Sequence, residues 1–270
     1  MKWVYPWIAC LCALVACGGT TQGLVLPVAE ASPNPAASRA VATCDADGLM
    51  QPSFYLEAVR RIALDQNSEA RDAAGKVLAL LGDPLGLQVL HEIVTADPTN
   101  LFALAALVLV GDVDARAQAL AMIDTIDPLQ VVMIAYGFVN APDPRVTERL
   151  RNSTGQVDSV HEAFVAAALA AMGDGEAIAE VERRIAQTSH GSEVIAEAAA
   201  ALEWGSARAR SLLYEVLRDR NARDYSHAAS GLGHVPLNGD LPLLIKARQH
   251  ADNPFDLVWI DYAILRQCPP

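Results

Sequence analysis

One dipeptide returns at regular intervals along this chain and constrains its fold more than any other feature. Gly-Asp occurs four times, and the separations between successive copies are 29, 62 and 66 residues, at Gly82-Asp83, Gly111-Asp112, Gly173-Asp174 and Gly239-Asp240. The two longer separations are close to twice 31 and twice 33, so copies are missing near residues 142 and 206. There the chain reads "NAPDPRVTERL" and "EWGSARARSLL", each with turn-forming residues before a helical pattern. Six units of about 30 residues result, and such periods are typical of stacked repeat proteins.

Each Gly-Asp pair is predicted to be the tight turn of a helical hairpin. Glycine ends a helix readily because it adopts positive φ at no steric cost. The adjacent aspartate can accept hydrogen bonds from the free N–H groups that open the next helix. The preceding segments are Ala-rich and apolar, as in "NLFALAALVLV", whereas the following ones are amphipathic. N-capping explains the spacing of these aspartates better than a metal or acid–base role does.

The two ends of the repeat region read as caps. "PSFYLEAVRRIALD" predicts a first amphipathic helix, and "NPFDLVWIDYAILRQC" predicts a last one with Asn253 as N-cap and Pro254 at the first helical position. Phe255, Trp259 and Tyr262 are expected to cover the final apolar face rather than to bind a ligand. The predicted fold is therefore all-α: an α-solenoid of about six stacked helical hairpins with a capping helix at each end, over residues 53–268.

Three segments carry a family resemblance, namely "ARDAAGKVLALLGDPLGLQVLHEIV", "NLFALAALVLVGDVDARAQALAMI" and "EAFVAAALAAMGDGEAIAEVERRI". They resemble the bacterial HEAT-like repeats, including the short-repeat type named after phycobilisome lyases. "SHAASGLGHVPLNGDLPLL" departs from the pattern with Gly231, Gly233 and Pro236. The resemblance implies an α-solenoid whose second helices line a concave face that generally contacts other proteins. It implies no single activity, since this repeat class includes scaffolds, regulators and a few enzymes.

The N-terminus predicts export. Residues 1–16 have an early Lys2 and an apolar stretch that is too short to span a bilayer, which indicates a signal peptide. Leu14-Val15-Ala16-Cys17 resembles the lipobox of bacterial lipoproteins, and this implies that Cys17 is lipidated and becomes the new N-terminus. Gly18 after that cysteine implies sorting to the outer membrane, facing the periplasm. The alternative is ordinary cleavage after Ala31 with loss of Cys17, although the Gly/Thr-rich stretch after Cys17 interrupts the apolar segment too early for it.

Residues 17–52 are predicted to be the lipidated cysteine followed by a flexible tether. From Gly18 to Thr43 the composition of Gly, Thr, Ser, Pro and Ala buries too little apolar surface to fold. Flexible-linker scaling gives those residues a root-mean-square span of roughly 28 Å. The folded part would then lie near a membrane face without being embedded in it.

Two cysteines, Cys44 and Cys268, remain in the predicted mature chain beside the lipidated one. An even pair in an exported protein predicts a disulfide. The alternative is two unpaired cysteines or a bond between chains, because a solenoid holds its ends apart and a disulfide needs Cα atoms within about 7 Å.

Composition and motifs limit the function. The net charge of −12 argues against a nucleic-acid partner, which requires a basic surface. No nucleophile elbow, phosphate-binding loop, dinucleotide fingerprint or HExxH motif is present, and the six histidines show no metal-ligand spacing. "CDADG" from Cys44 lacks the further ligands of a calcium loop. We therefore predict no catalytic residues, no cofactor and no metal.

Arginine placement gives the only candidate binding surface. If the second helices line one surface, they present a basic stripe that is a candidate partner-binding surface: Arg149, Arg183, Arg184, Arg210, Tyr214 and Arg218. The alternative, which we favour, is a solvated face with internal ion pairs such as Glu180 to Arg184.

The expected function is a non-enzymatic, lipid-anchored scaffold or protein-interaction module with an envelope or periplasmic protein as partner. The alternatives are a purely structural envelope component and a lyase-like enzyme or ligand carrier with a pocket in the concave face. Convergent titratable residues in a deep pocket would favour the enzyme.

Overall fold

The computed structural model describes residues 51–188, 194–219, 225–237 and 239–269. Within these ranges the chain forms fourteen α-helices and one short 3₁₀ helix, with no strand, which confirms the all-α prediction. The first seven are α1 Pro52–Leu64, α2 Arg71–Leu80, α3 Pro84–Ala96, α4 Leu101–Leu109, α5 Val113–Met122, α6 Pro128–Ala135 and α7 Pro144–Arg151, and the 3₁₀ helix Tyr136–Phe138 follows α6. The others are α8 Ser159–Ala171, α9 Gly175–Gln187, α10 Ile195–Ala201, α11 Ala207–Arg218, α12 Tyr225–His234, α13 Leu241–Arg248 and α14 Pro254–Gln267.

Even-numbered and odd-numbered helices differ in burial. Every residue of α4 and of α10 is buried, whereas α7 buries only Val146 and Leu150. This division follows the sequence, because a helix that is apolar all round must be enclosed and an amphipathic helix buries one face. The even-numbered helices therefore form the interior, and the odd-numbered ones form the outer surface.

Contacts between the even-numbered helices close on themselves. Each of α2, α4, α6, α8, α10 and α12 packs against the next in the series, and α14 packs against both α1 and α2. The first and last described helices therefore meet, and the expectation that the two ends lie apart is wrong. Cys268 is fully buried where α14 ends. Cys44 lies outside the described residues, as do Cys17, the signal peptide and the tether, so the disulfide and the lipid anchor stay predictions.

The first three Gly-Asp pairs have the predicted geometry. The φ angles of Gly82, Gly111 and Gly173 are 78°, 91° and 87°. The aspartate after each glycine accepts a hydrogen bond from a backbone N–H of the following helix, at 3.0 Å for Asp83 and 2.8 Å for Asp112. The capping prediction is confirmed at these turns, since the glycine ends one helix and the aspartate begins the next.

The two expected extra copies are also present in altered form. Asp143 accepts a hydrogen bond from the backbone N–H of Arg145, at the position where no glycine precedes it. Gly205 has a φ of 83°, and Ser206 replaces aspartate as the N-cap of α11. A short polar side chain is thus retained at each hairpin even where the dipeptide is lost.

The fourth Gly-Asp pair does not follow the prediction. Gly239 has no positive φ, and the side chain of Asp240 makes no cap hydrogen bond. Asp240 is instead fully buried and accepts hydrogen bonds from Arg210, from the hydroxyl of Tyr214 and from the backbone N–H of Leu237. These donors occupy both carboxylate oxygens, so the side chain links α11 to α13 rather than capping α13.

The same aspartates connect successive units. Each contacts a cationic or imidazole side chain from the preceding outer helix, at Arg60–Asp83 2.7 Å, His91–Asp112 3.0 Å, Arg116–Asp143 3.5 Å, Arg151–Asp174 2.6 Å and Arg210–Asp240 2.8 Å. We call this series the aspartate ladder. The first four of these aspartates therefore have a second role, because each carboxylate caps its own helix and contacts the neighbouring unit, whereas Asp240 has only the second contact.

The glycines that depart from the repeat pattern lie at a close helix contact. The helix α12 is continuous despite Gly231 and Gly233. A Cβ atom at Gly233 would lie 2.8 Å from the Tyr262 ring and 3.0 Å from the Cα of Ala263 in α14. Glycine is required there because any side chain would push α14 away from α12.

Substitution of Asp174 separates the capping role from the charge. We expect Asp174→Ala to lower the free energy of unfolding by about 1–2 kcal/mol, since the N-cap is lost. Asp174→Asn keeps an accepting oxygen and loses only the ion pair with Arg151, so its deficit at neutral pH is about 0.5 kcal/mol. Hydrogen bonding from the Ala177 N–H, followed by that from Arg151, lowers the pKa of Asp174 below its ordinary value of 3.8.

A lowered pKa means that the carboxylate stabilises the fold above pH 3.8 and loses this effect as the pH falls through the folded-state value. The difference between the wild type and Asp174→Asn should therefore disappear at strongly acidic pH. Urea unfolding at pH 7 and at pH 3 measures it, and an equal difference at both values would contradict the role given to the charge.

Candidate functional site

The arginines predicted as a basic stripe are engaged within the protein. Arg183 donates to the carboxylate of Glu180 at 2.8 Å and to the amide oxygen of Gln187 at 2.7 Å. The guanidinium of Arg184 lies 3.1 Å from the buried carboxylate of Glu197. Burial raises the pKa of Glu197, and the nearby charge of Arg184 opposes this shift. Both arginines of α9 thus have acidic partners on the protein itself.

The two arginines of the stripe on α11, Arg210 and Arg218, also make contacts within the protein. Arg210 donates to both carboxylate oxygens of Asp240, at 2.9 and 2.8 Å, and to the backbone oxygen of Val235. The hydroxyl of Tyr214 donates to the same carboxylate, and the guanidinium of Arg218 lies 5.6 Å from the centre of the Tyr214 ring. Burial, followed by the hydrogen bond to Asp240, raises the pKa of Tyr214. These side chains fix α11 to α13.

Arg149 completes the predicted set. It lies on α7 and donates to the backbone oxygen of Ile126 at 3.1 Å. The six stripe residues therefore occupy three separate outer helices, and each makes contacts inside the protein. This geometry favours the solvated face with internal pairs over a basic docking surface.

A buried cluster that the sequence did not predict lies where the helices close. The ammonium of Lys76 in α2 lies 4.7 Å from the centre of the Trp259 ring and 5.5 Å from that of Phe102. Trp259 packs edge-on against Tyr262, whose hydroxyl lies 2.9 Å from Nδ1 of His234. Lys76, Trp259 and Tyr262 are all 0% exposed. Because these groups are enclosed, the cluster joins α2, α4, α12 and α14 rather than presenting them to a substrate.

One signal in the sequence marks this cluster. Lys76 is the sole charged residue within the apolar run "AAGKVLAL" of α2. Asp72, one helical turn earlier, has its pKa raised to about 6 by burial, and the charge of Lys76 opposes the shift. A lysine in the interior of an enclosed helix indicates a specific partner, and here aromatic faces supply it. The prediction that Trp259 and Tyr262 cover an apolar end face missed this contact.

Arg248 makes a second contact across the closure. Its guanidinium in α13 lies 2.5 Å from the carboxylate of Asp261 in α14, and 5.3 and 5.2 Å from the ring centres of Phe54 and Tyr55 in α1. Burial raises the pKa of Asp261 to about 6, and the hydrogen bond from Arg248 opposes this shift. One side chain therefore links three helices from opposite ends of the described chain.

The outer surface contains an apolar groove between α3 and α5. Its volume is about 260 Å³, and its lining consists of His91, Val94, Thr95, Pro98, Leu107, Asp114, Ala115 and Gln118. Leu107 belongs to the enclosed helix α4 and forms the floor, whereas Thr95 and Asp114 are exposed at the rim. The groove thus joins an apolar floor to a polar edge on the face that the outer helices present to solvent.

Exposed apolar side chains extend this groove. Leu87 is 41% exposed and lies one helical turn before His91 on α3, and Val113 is 78% exposed beside Asp114. Residues 87, 91 and 94 follow a spacing that places them on one face of α3. An apolar strip on a strongly charged protein is typical of a contact site. We call the groove and this strip the α3/α5 groove.

Neither a metal-binding group nor a membrane-spanning helix is found among the described residues. In the part of the chain that the structure describes, no three His, Cys, Asp or Glu side chains are grouped so as to hold a metal ion. No helix in those same ranges has both the length and the apolarity to cross a membrane.

Comparison with known proteins adds no relative. No family model, no curated protein and no solved structure matches this chain.

The contacts of the arginines predict that substitutions at different positions of the basic stripe lower the free energy of unfolding by different amounts. Arg210→Met should lower the free energy of unfolding by about 3 kcal/mol or more, since it leaves the fully buried carboxylate of Asp240 without its cation. Arg183→Met removes an exposed pair and should change it by no more than about 0.5 kcal/mol. Urea unfolding of both variants measures this difference, and equal losses would show that Asp240 does not depend on Arg210.

Proposed function

We propose that this protein is a non-enzymatic, lipid-anchored scaffold of the bacterial envelope that binds a partner protein through the α3/α5 groove. The observation that carries the proposal is the groove itself: an apolar floor with exposed leucine and valine side chains beside it and carboxylates at its rim. Apolar surface of this kind costs free energy in water, and a partner that covers it recovers that cost.

The proposed anchor is the lipidated Cys17, followed by the tether that ends near residue 52. Support comes from the lipobox-like Leu14-Val15-Ala16-Cys17 after an apolar stretch. Gly18 supports placement at the outer membrane, facing the periplasm. The proposed disulfide between Cys44 and Cys268 gains support from the packing of α14 against α1 and α2, because the first and last described helices are in contact.

The proposed architecture is a superhelical stack of HEAT-like hairpins. It is supported by helix pairs at the predicted positions, by the recurrent N-caps and by the aspartate ladder between neighbouring units. In such a stack the outer helices offer a broad surface for protein contacts. The rival proposal, a lyase-like enzyme or ligand carrier, has less support because the enclosed cluster around Lys76 is sealed by aromatic packing.

Removal of the lipidation site tests the anchor. Cys17→Ala should move the protein from the membrane fraction to the soluble fraction, because the tether offers no other apolar segment of membrane-spanning length. Immunoblotting of fractionated cells measures this, with Cys12→Ala as the control that should stay in the membrane. Retention of Cys17→Ala in the membrane fraction would refute lipid anchoring.

Site-specific crosslinking in the native cell tests the groove. A photo-crosslinking residue in place of Thr95 should give a discrete adduct, whereas one in place of Glu148, an exposed residue of α7, should not. Leu87→Glu in the Thr95-labelled protein should abolish the adduct, since it puts a charge on the apolar strip. Adducts of equal yield at both positions, or none at Thr95, would contradict a binding role for the groove.

A further inference from the structure

We propose that the α3/α5 groove receives a lysine- or arginine-rich segment of its partner that carries one large aliphatic side chain. This inference rests on the proposed function, because it concerns the same groove and specifies what enters it. Two properties of the groove carry it: the size and apolarity of its floor, and carboxylates at its rim that have no cationic partner among the described residues.

The size of the groove suits a side chain rather than a whole ligand. Sites for drug-sized ligands have volumes of about 300–1,000 Å³, and this groove has about 260 Å³. Val94 and the buried Leu107 give it an apolar floor, and exposed Leu87 continues the apolar surface along α3. An aliphatic side chain inserted between α3 and α5 would contact Val94 and Leu107.

The rim of the groove is negatively charged. Asp114 is exposed in the lining of the groove and forms no ion pair within the described residues. Asp97, which ends α3 beside Pro98, accepts hydrogen bonds from the hydroxyl and backbone N–H of Thr99, and these bonds lower its pKa. The carboxylate of Asp97 is therefore ionised at neutral pH, and neither side chain forms an ion pair with an arginine of the described residues.

The rim differs from the aspartate ladder in that its carboxylates are unpaired among the described residues. Along the ladder, arginines lie 2.6 to 3.5 Å from the carboxylates. His91 in the groove is itself within 3.0 Å of Asp112. The groove thus leaves negative charge unmatched beside an apolar floor, which is the complement of a basic segment with an aliphatic side chain.

Charge also decides between the available occupants. A second copy of this chain also carries a net charge of −12, and Arg183 and Arg210 of its outer helices are engaged in internal pairs, so two copies repel. The tether contains the apolar run Leu24 to Val28, yet between Gly18 and Thr43 its only charged residues are Glu30 and Arg39. Neither offers a cluster of positive charge. A basic segment of a different protein is the complementary occupant.

Peptide binding to the full-length protein tests this chemistry. Fluorescence anisotropy compares a labelled lysine-rich peptide containing one leucine with the same peptide containing alanine there, and with a glutamate-rich version that keeps the leucine. We expect the first to bind at least tenfold more tightly than either of the others. Equal binding of the leucine and alanine peptides would overturn the proposal, because it would show unspecific attraction to an acidic protein.

A matched pair of charge reversals locates the site. Asp114→Lys should weaken binding of the leucine peptide at least tenfold, and Glu148→Lys, which changes the net charge equally at a position of α7 that does not line the groove, should leave it within twofold. Circular dichroism verifies that both variants fold. Equal weakening by the two reversals would overturn the placement in the groove. Tighter binding of a peptide copied from residues 22–31 of the tether would overturn the choice of a basic segment as the occupant.

The two proposals fail separately. A crosslinked adduct at Thr95 without binding of the lysine-rich peptide would refute this partner chemistry and leave the groove as a protein-binding site. Peptide binding without any adduct in the cell would support the chemistry of the groove and refute the scaffold role there.

Discussion

The packing of α14 against α1, α2 and α12 is the constraint on which the rest of the structure depends. A linear stack of hairpins leaves an interior helix exposed at each end, and a separate cap must cover it. Here α14 covers α2 and α12 at once. Lys76 shows the consequence, because an ammonium group without solvent is costly unless something replaces water, and the faces of Trp259 and Phe102 do so. Release of α14 would therefore expose both apolar and charged groups.

The aspartate ladder and the closure act over different ranges. Each ladder contact joins a unit to its neighbour, so its effect is local and repeats along the chain. Arg248 joins α13 and α14 to α1, residues that are almost 200 positions apart. Stacked repeats with only neighbour contacts lose their units progressively. The closure couples the two ends, so loss of either terminal helix affects the other, and cooperative unfolding of the described helices follows.

The sequence predicted features whose chemistry is local. The first three Gly-Asp turns and the N-cap Asn253 lie where expected, since a cap depends on residues within one helical turn. The capping prediction was wrong for Asp240, because Arg210, thirty residues earlier, binds its carboxylate. The positions of the stripe arginines on the outer helices could be predicted from the sequence. The acidic partners of Arg184 and Arg210 could not, because these pairs depend on how neighbouring helices pack. The groove was not predicted because its depth depends on the distance between α3 and α5. Among the features that the sequence did not predict, only the cluster around Lys76 had a recognisable signal, namely a single charged residue in an apolar helix.

Charged groups inside the protein are engaged in contacts between helices, whereas the carboxylates at the groove rim form no ion pair within the described residues. This difference explains why the function should be sought on the outer surface. Inside, Lys76, Glu197 and Asp240 face groups that hold helices together, and a ligand that claimed them would have to compete with the fold. At the α3/α5 groove the rim carboxylates form no ion pair within the described residues, so a partner can bind them without displacing a cation of the protein. A shallow groove binds weakly by itself. The proposed lipid anchor would offset this, because confinement at one membrane raises the effective concentration of a partner that is held there as well. In this proposal the anchor raises the local concentration of the partner, and the groove determines which partner binds.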